Sequence, residues 1–196
     1  NLIINGAMQV AQRGTSSTTS GYGSVDRFAS FYGSTDEAVT HSQVDVASGT
    51  TPYTSGFRKA LKITNGNQTS GAGTHDNVQI KTTLEAQDIA NSGWNYTSAS
   101  SFVTFSFWVK SSVAQNFYFY LKTYDGTAQI FTMETGSLTA DTWTKITKTI
   151  PGNTNLQFDN NAEQGLEINI SPFFGTNFTD SGVSLNAWGS YSNSTR

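Results

Sequence analysis

The chain has 196 residues, a charged fraction of 13%, an aromatic fraction of 13% and a formal net charge of −3. That length suits one well-buried core, and the slightly acidic balance offers no basic footprint for nucleic acid or for an anionic membrane. Cysteine is absent, which removes disulfides, thiolate nucleophiles and cysteine zinc sites, and no apolar run reaches the roughly 20 residues that span a bilayer.

In chain order, Leu2-Ile3-Ile4 reads as a short apolar strand closed by the turn dipeptide Asn5-Gly6. Residues 15–23 form a Ser/Thr/Gly loop, and 25–32 and 39–46 read as strands. Residues 59–64 alternate, as do 77–83, where Val78 and Ile80 point inward. Residues 84–90 are the one stretch that reads as a short helix. Strands are then expected at 102–110, 117–123, 128–133, 143–150 and 166–170, with Asp125-Gly126 as a hairpin turn and Pro151-Gly152 as a stop.

The densest signal lies in 102–122. Phe105, Phe107 and Val109 share one parity, and Ser106, Trp108 and Lys110 the other. Phe117, Phe119 and Leu121 likewise oppose Tyr118, Tyr120 and Lys122. One face of each strand is apolar and belongs against a core. The pattern of many short strands with polar turns predicts an all-β fold, a jelly-roll β-sandwich of two antiparallel sheets, with at most one short helix near 84–90. Residues 1–177 would form that domain, and 178–196, rich in Ser, Asn and Gly, a C-terminal arm or a truncated end.

If the strands carrying Trp108, Tyr118 and Tyr120 pair, the three rings share one outward face able to stack on sugar rings. The competing reading is that this face is packing or a protein interface. Trp94 and Tyr96, in a polar loop, are a second candidate carbohydrate-binding rim; Trp143 and Trp188 read as core, edge or interface anchors. Asp159, Asn161 and Glu163 form an oxygen-rich turn suited to structural calcium, or simply a turn, since Asp and Asn favour such geometry. No other cofactor is expected. His41 and His75 lack zinc spacing, no Gly-x-Ser-x-Gly elbow occurs, and Asp36, Glu37, Glu134 and Asp141 read as solvated acids; no enzyme is expected.

Two resemblances rest on particular residues. Asn1-Leu2-Ile3-Ile4-Asn5-Gly6, Phe105-Ser106-Phe107-Trp108-Val109-Lys110 and Leu138-Thr139-Ala140-Asp141-Thr142-Trp143-Thr144-Lys145 are similar to landmarks of jelly-roll carbohydrate-binding modules of families 4, 9 and 22. Ala7-Met8-Gln9-Val10-Ala11-Gln12-Arg13-Gly14-Thr15, Val25-Asp26-Arg27-Phe28 and Gly56-Phe57-Arg58-Lys59-Ala60-Leu61-Lys62 resemble virion structural and tail-fibre proteins of marine bacteriophages, cyanophages included. That resemblance implies a virion location at the particle surface or a tail appendage. It implies host cell-surface polysaccharide and other virion proteins as partners, and a homo-oligomer, trimeric as in fibres. Those proteins continue into a closing strand of the type Trp-x-Ile-Thr-Gly-Val-Gln-Leu-Glu, which this sequence lacks, so either truncation or another segment completing the sheet is expected.

Overall fold

A computed structural model describes residues 1–192, so the C-terminal arm expected over 178–196 is followed as far as Ser192. The elements in order are β1 (Ser16–Ser17), β2 (Ala29–Gly33), β3 (Thr40–Asp45), α1 (Thr51–Thr54), β4 (Lys59–Thr64), β5 (Asn77–Glu85), α2 (Ala86–Ala90), β6 (Phe102–Val109), β7 (Asn116–Thr123), β8 (Gln129–Ser137), β9 (Thr144–Pro151), β10 (Gln164–Phe174), a 3-10 turn (Thr176–Phe178) and β11 (Trp188–Ser190). Three sheets form among the described residues, in the orders β1-β3-β4, β11-β8-β7-β10-β5-β2 and β6-β9. The protein is therefore mostly β, with only short helices, and has three sheets where two were expected.

Several expectations need correction. Leu2-Ile3-Ile4 forms no strand, because Asn5 turns left-handed at φ 57° and its side chain ties Val10 and Asp26 instead of extending a ladder. A second helix, α1, occurs beside the expected α2; Pro52 fits its first turn because its missing N–H would have no partner there. The arm is also more than a loop, since β11 adds antiparallel to β8 with Trp188 opposite Phe131.

One compact unit comprises Asn1, Ile3–Thr82 and Ile170–Thr179. Its three-stranded sheet registers His41 against Ile63 and Asp45 against Lys59, whose side chains pair at 2.6 Å. Asp45 is exposed, so that pair adds at most about 1 kcal/mol. Val25, Ala29, Val39 and Val78 are buried here, and His41 is wholly enclosed.

The other unit comprises Leu2, Thr83–Asn169 and the chain from Asp180 onward. β7 and β8 form the expected hairpin, and Gly126 supplies the left-handed turn at φ 61°. β9 shows why the alternation works: Ile146 and Ile150 are buried, whereas Lys145, Thr147 and Thr149 are exposed. The rings of Phe105 and Phe107 lie 6.0 and 5.2 Å from that of Phe119, so the apolar faces of β6 and β7 meet across the core. Phe119, Phe131, Ile89, Met133 and Ile150 are the most enclosed large residues of the unit.

Candidate functional site

β6 does not pair with β7. Its partner is β9, with Trp108 opposite Lys145, Ser106 opposite Thr147 and Thr104 opposite Thr149. The ring contacts of Phe105 and Phe107 with Phe119 turn the other parity of β6 outward. Trp108 therefore lies on one outer face while Tyr118 and Tyr120, on the parity of β7 opposite to Phe119, point to the other side. The expected Trp108, Tyr118 and Tyr120 platform does not form, because the strands carrying it occupy different sheets.

What β6 and β9 build instead is a second arrangement around Trp108. Lys110 follows Trp108 on the same parity, and its Nζ lies 5.5 Å from the centroid of the Trp143 ring. Trp108 and Trp143 are each half-buried, and Lys145, Thr147, Thr149, Ser106 and Thr104 are exposed. The face thus carries two indoles, two lysines and four hydroxyls. At about 3.3 Å per residue the stretch from Thr104 to Lys110 covers about 20 Å, a length that takes several sugar rings in a row. Trp143 was expected to be a core or edge anchor. Its role on this face was hidden because the sequence does not state which strands pair.

The opposite face holds a different constellation. Tyr124 donates its hydroxyl to Glu167 at 2.6 Å, and Asn169 donates Nδ2–H to the other carboxylate oxygen at 3.1 Å. The Glu167 charge also bears on the Tyr120 phenol, and Lys122 Nζ lies over the rings of Tyr124 and Tyr191, at 4.6 and 3.9 Å. Tyr120, Glu167 and Asn169 are buried. Burial, followed by the Glu167 charge, pushes the Tyr120 phenol far above its ordinary range; the same two causes raise Tyr191. A buried ring cannot stack on a sugar, so Tyr120 serves packing here, and Tyr118 beside it is half-buried.

Trp94 and Tyr96 form no open rim. Trp94 is buried and donates Nε1–H to the Ser101 carbonyl at 3.3 Å, and Tyr96 meets Phe158 edge-on at 4.9 Å. They are links in an aromatic stack that closes the 91–101 loop. Trp188 anchors the arm, its ring 5.2 Å from Phe131 and its indole N–H on the Pro151 carbonyl at 2.7 Å.

In the acidic turn, Asp159 Oδ1 accepts from Gln157, Asn161 Oδ1 accepts the Glu163 N–H, and Glu163 itself is exposed. These oxygens shape the turn, and among the described residues no group of three or more His, Asp or Glu side chains is placed to share an ion. The other acids also hold loops. Asp36 accepts from Ser70 N–H and Oγ, bonds that lower its pKa, and Glu37 accepts the Asn67 N–H. Glu134 accepts from Asn116, and Asp141 sits in an exposed left-handed turn.

One pair escaped the sequence reading. Ser24 Oγ lies 2.8 Å from His41 Nδ1, and His41 Nε2 donates to the Thr19 carbonyl at 2.9 Å. Nucleophile and base would be arranged this way, but Ser24 and His41 are 2% and 0% exposed, which leaves a substrate no approach. The bonds fasten the 15–24 loop onto β3.

Searches against protein-family models, curated proteins and solved structures return no match to this chain.

Proposed function

We propose that the chain is a non-catalytic, jelly-roll-like binding module of a bacteriophage particle that attaches to acidic polysaccharide on the host surface. The observation that carries this reading is the outer face of β6 and β9, where half-buried Trp108 stands opposite exposed Lys145. Indole rings supply flat apolar area for the faces of sugar rings, and hydroxyls and ammonium groups supply the polar contacts that fix orientation. Lys110 and Lys145 on this face, with no carboxylate on either strand, favour uronate- or sulfate-bearing sugars over neutral ones. Single contacts of this kind are weak, so repetition on an appendage would raise avidity.

The jelly-roll reading draws support from the distribution of consecutive strands. From β5 to β10, strands 5, 7, 8 and 10 fall in one sheet and strands 6 and 9 in another. A jelly roll distributes its strands between two sheets in this fashion. The virion location rests on the resemblance of the 7–15, 25–28 and 56–62 segments to phage structural and tail-fibre proteins.

The test is direct binding of the purified protein to acidic and neutral polysaccharides extracted from host cells. Trp108→Ala and Lys145→Glu should each weaken binding to acidic chains by about tenfold, the worth of one aromatic or ionic contact, with the melting temperature retained. Tyr120→Phe, buried on the opposite side, should leave affinity unchanged. A folded protein that binds no polysaccharide, or one in which Trp108→Ala binds like wild type, would overturn the reading.

A further inference from the structure

We propose that the free edge of β6 pairs antiparallel with β6 of a second copy of this chain, across a two-fold axis through Ser106. Independently of any ligand, the two-stranded sheet β6-β9 has two open edges, and they differ. β9 carries Lys145 and Lys148 and ends in Pro151, the residues that discourage strand addition. β6 runs eight residues, Phe102 to Val109, without a charge or a proline. Among the described residues its ladder partner is β9 alone, and no backbone group from 102 to 109 bonds to a loop. Half of the N–H and C=O groups along β6 therefore face away from its only partner.

The strand is close to a palindrome. About Ser106, antiparallel self-pairing sets Val103 opposite Val109, Phe105 opposite Phe107, and Thr104 opposite Trp108, each in both directions. A two-fold interface must be complementary to itself, and this segment meets that demand where an unrelated partner strand need not. The pairing keeps parity, so apolar residues stay on the core side. Phe105 and Phe107 are only half-buried in one chain, and the cross-strand rings would cover them. On the outer face Lys110 would meet Phe102, which is 57% exposed.

The chain lacks cysteine, so single cysteines report the register directly. Paired Ser106 Cα atoms would stand about 4.5–5.5 Å apart, within disulfide reach, whereas the two Thr104 Cα atoms would be about 14 Å apart. Sedimentation should show a wild-type dimer. Ser106→Cys should form a covalent dimer under mild oxidation, and Thr104→Cys should not. Ser106→Lys, at an exposed position, should give a folded monomer. A wild-type monomer at all concentrations, equal cross-linking of both cysteines, or a Ser106→Lys dimer would each overturn the proposal.

Discussion

Phe107 stands edge-on to Phe119, ring centroids 5.2 Å apart at an interplanar angle of 88°. This contact orients everything on the neighbouring parities. It turns Trp108 outward on one side of the unit and leaves Tyr120 on the other, so it separates rings that alternation alone would have allowed on one surface. Phe119 is wholly enclosed, and Phe105 also rests on it. Phe119→Ala should lower the free energy of unfolding by about 3–5 kcal/mol in a denaturant titration. A loss under about 1 kcal/mol would mean that β6 does not pack on β7.

Tyr120 makes a pH prediction of definite sign. Burial first and the Glu167 charge second raise its pKa in the folded state, so the folded protein holds this proton where the unfolded chain releases it. The contribution is complete below the ordinary tyrosine value, about pH 10, and is lost as pH rises above it. Stability should therefore be flat with respect to this group up to about pH 10, then fall by about 1.4 kcal/mol per pH unit for one proton. Tyr120→Phe should flatten the slope. An alkaline profile identical in wild type and Tyr120→Phe would show that this phenol titrates normally.

Strand positions were largely legible because alternation is a local property. Residues 59–64 and the β7-β8 hairpin came straight from period two and from Asp125-Gly126. Pairing was not legible, since β6 and β7 are adjacent in sequence and both aromatic, yet their ladders lie in different sheets. Trp143 shows the cost: it joins Trp108 only once β9, some 35 residues downstream of β6, is known to be the partner. The Glu167 and tyrosine cluster was hidden for the same reason, because its members come from β7, β10 and the arm.

Glycine positions give a test of the 91–101 loop. A Cβ on Gly152 would fall 2.4 Å from the Tyr96 carbonyl oxygen and 2.5 Å from that of Ser98. Both are backbone atoms, and the loop is pinned there by Gly152 N–H on Ser101 and Asn153 N–H on Tyr96. Gly152→Ala should cost about 2–3 kcal/mol, as overpacking does. Gly189→Ala, with open space around its Cβ position, should cost less than about 1 kcal/mol. Similar melting temperatures for the two variants would contradict this packing.

Thr132 predicts a change of the opposite sign. It stands across the ladder from Tyr120, is 1% exposed, and its Oγ1 has no hydrogen-bond partner among the described residues. A buried hydroxyl without a partner loses its water for nothing, at a cost of about 1–3 kcal/mol. Valine has nearly the same shape, suits a strand and carries no polar atom to bury. Thr132→Val should therefore raise stability, by about 1 kcal/mol, where threonine-to-valine changes at bonded sites lower it. Thr123→Val is the contrast, because the Thr123 hydroxyl accepts the Gln129 N–H at 2.9 Å inside the β7-β8 turn. That variant orphans a buried donor and should destabilise. Loss of stability in Thr132→Val, measured beside Thr123→Val, would show that the Thr132 hydroxyl is bonded in solution.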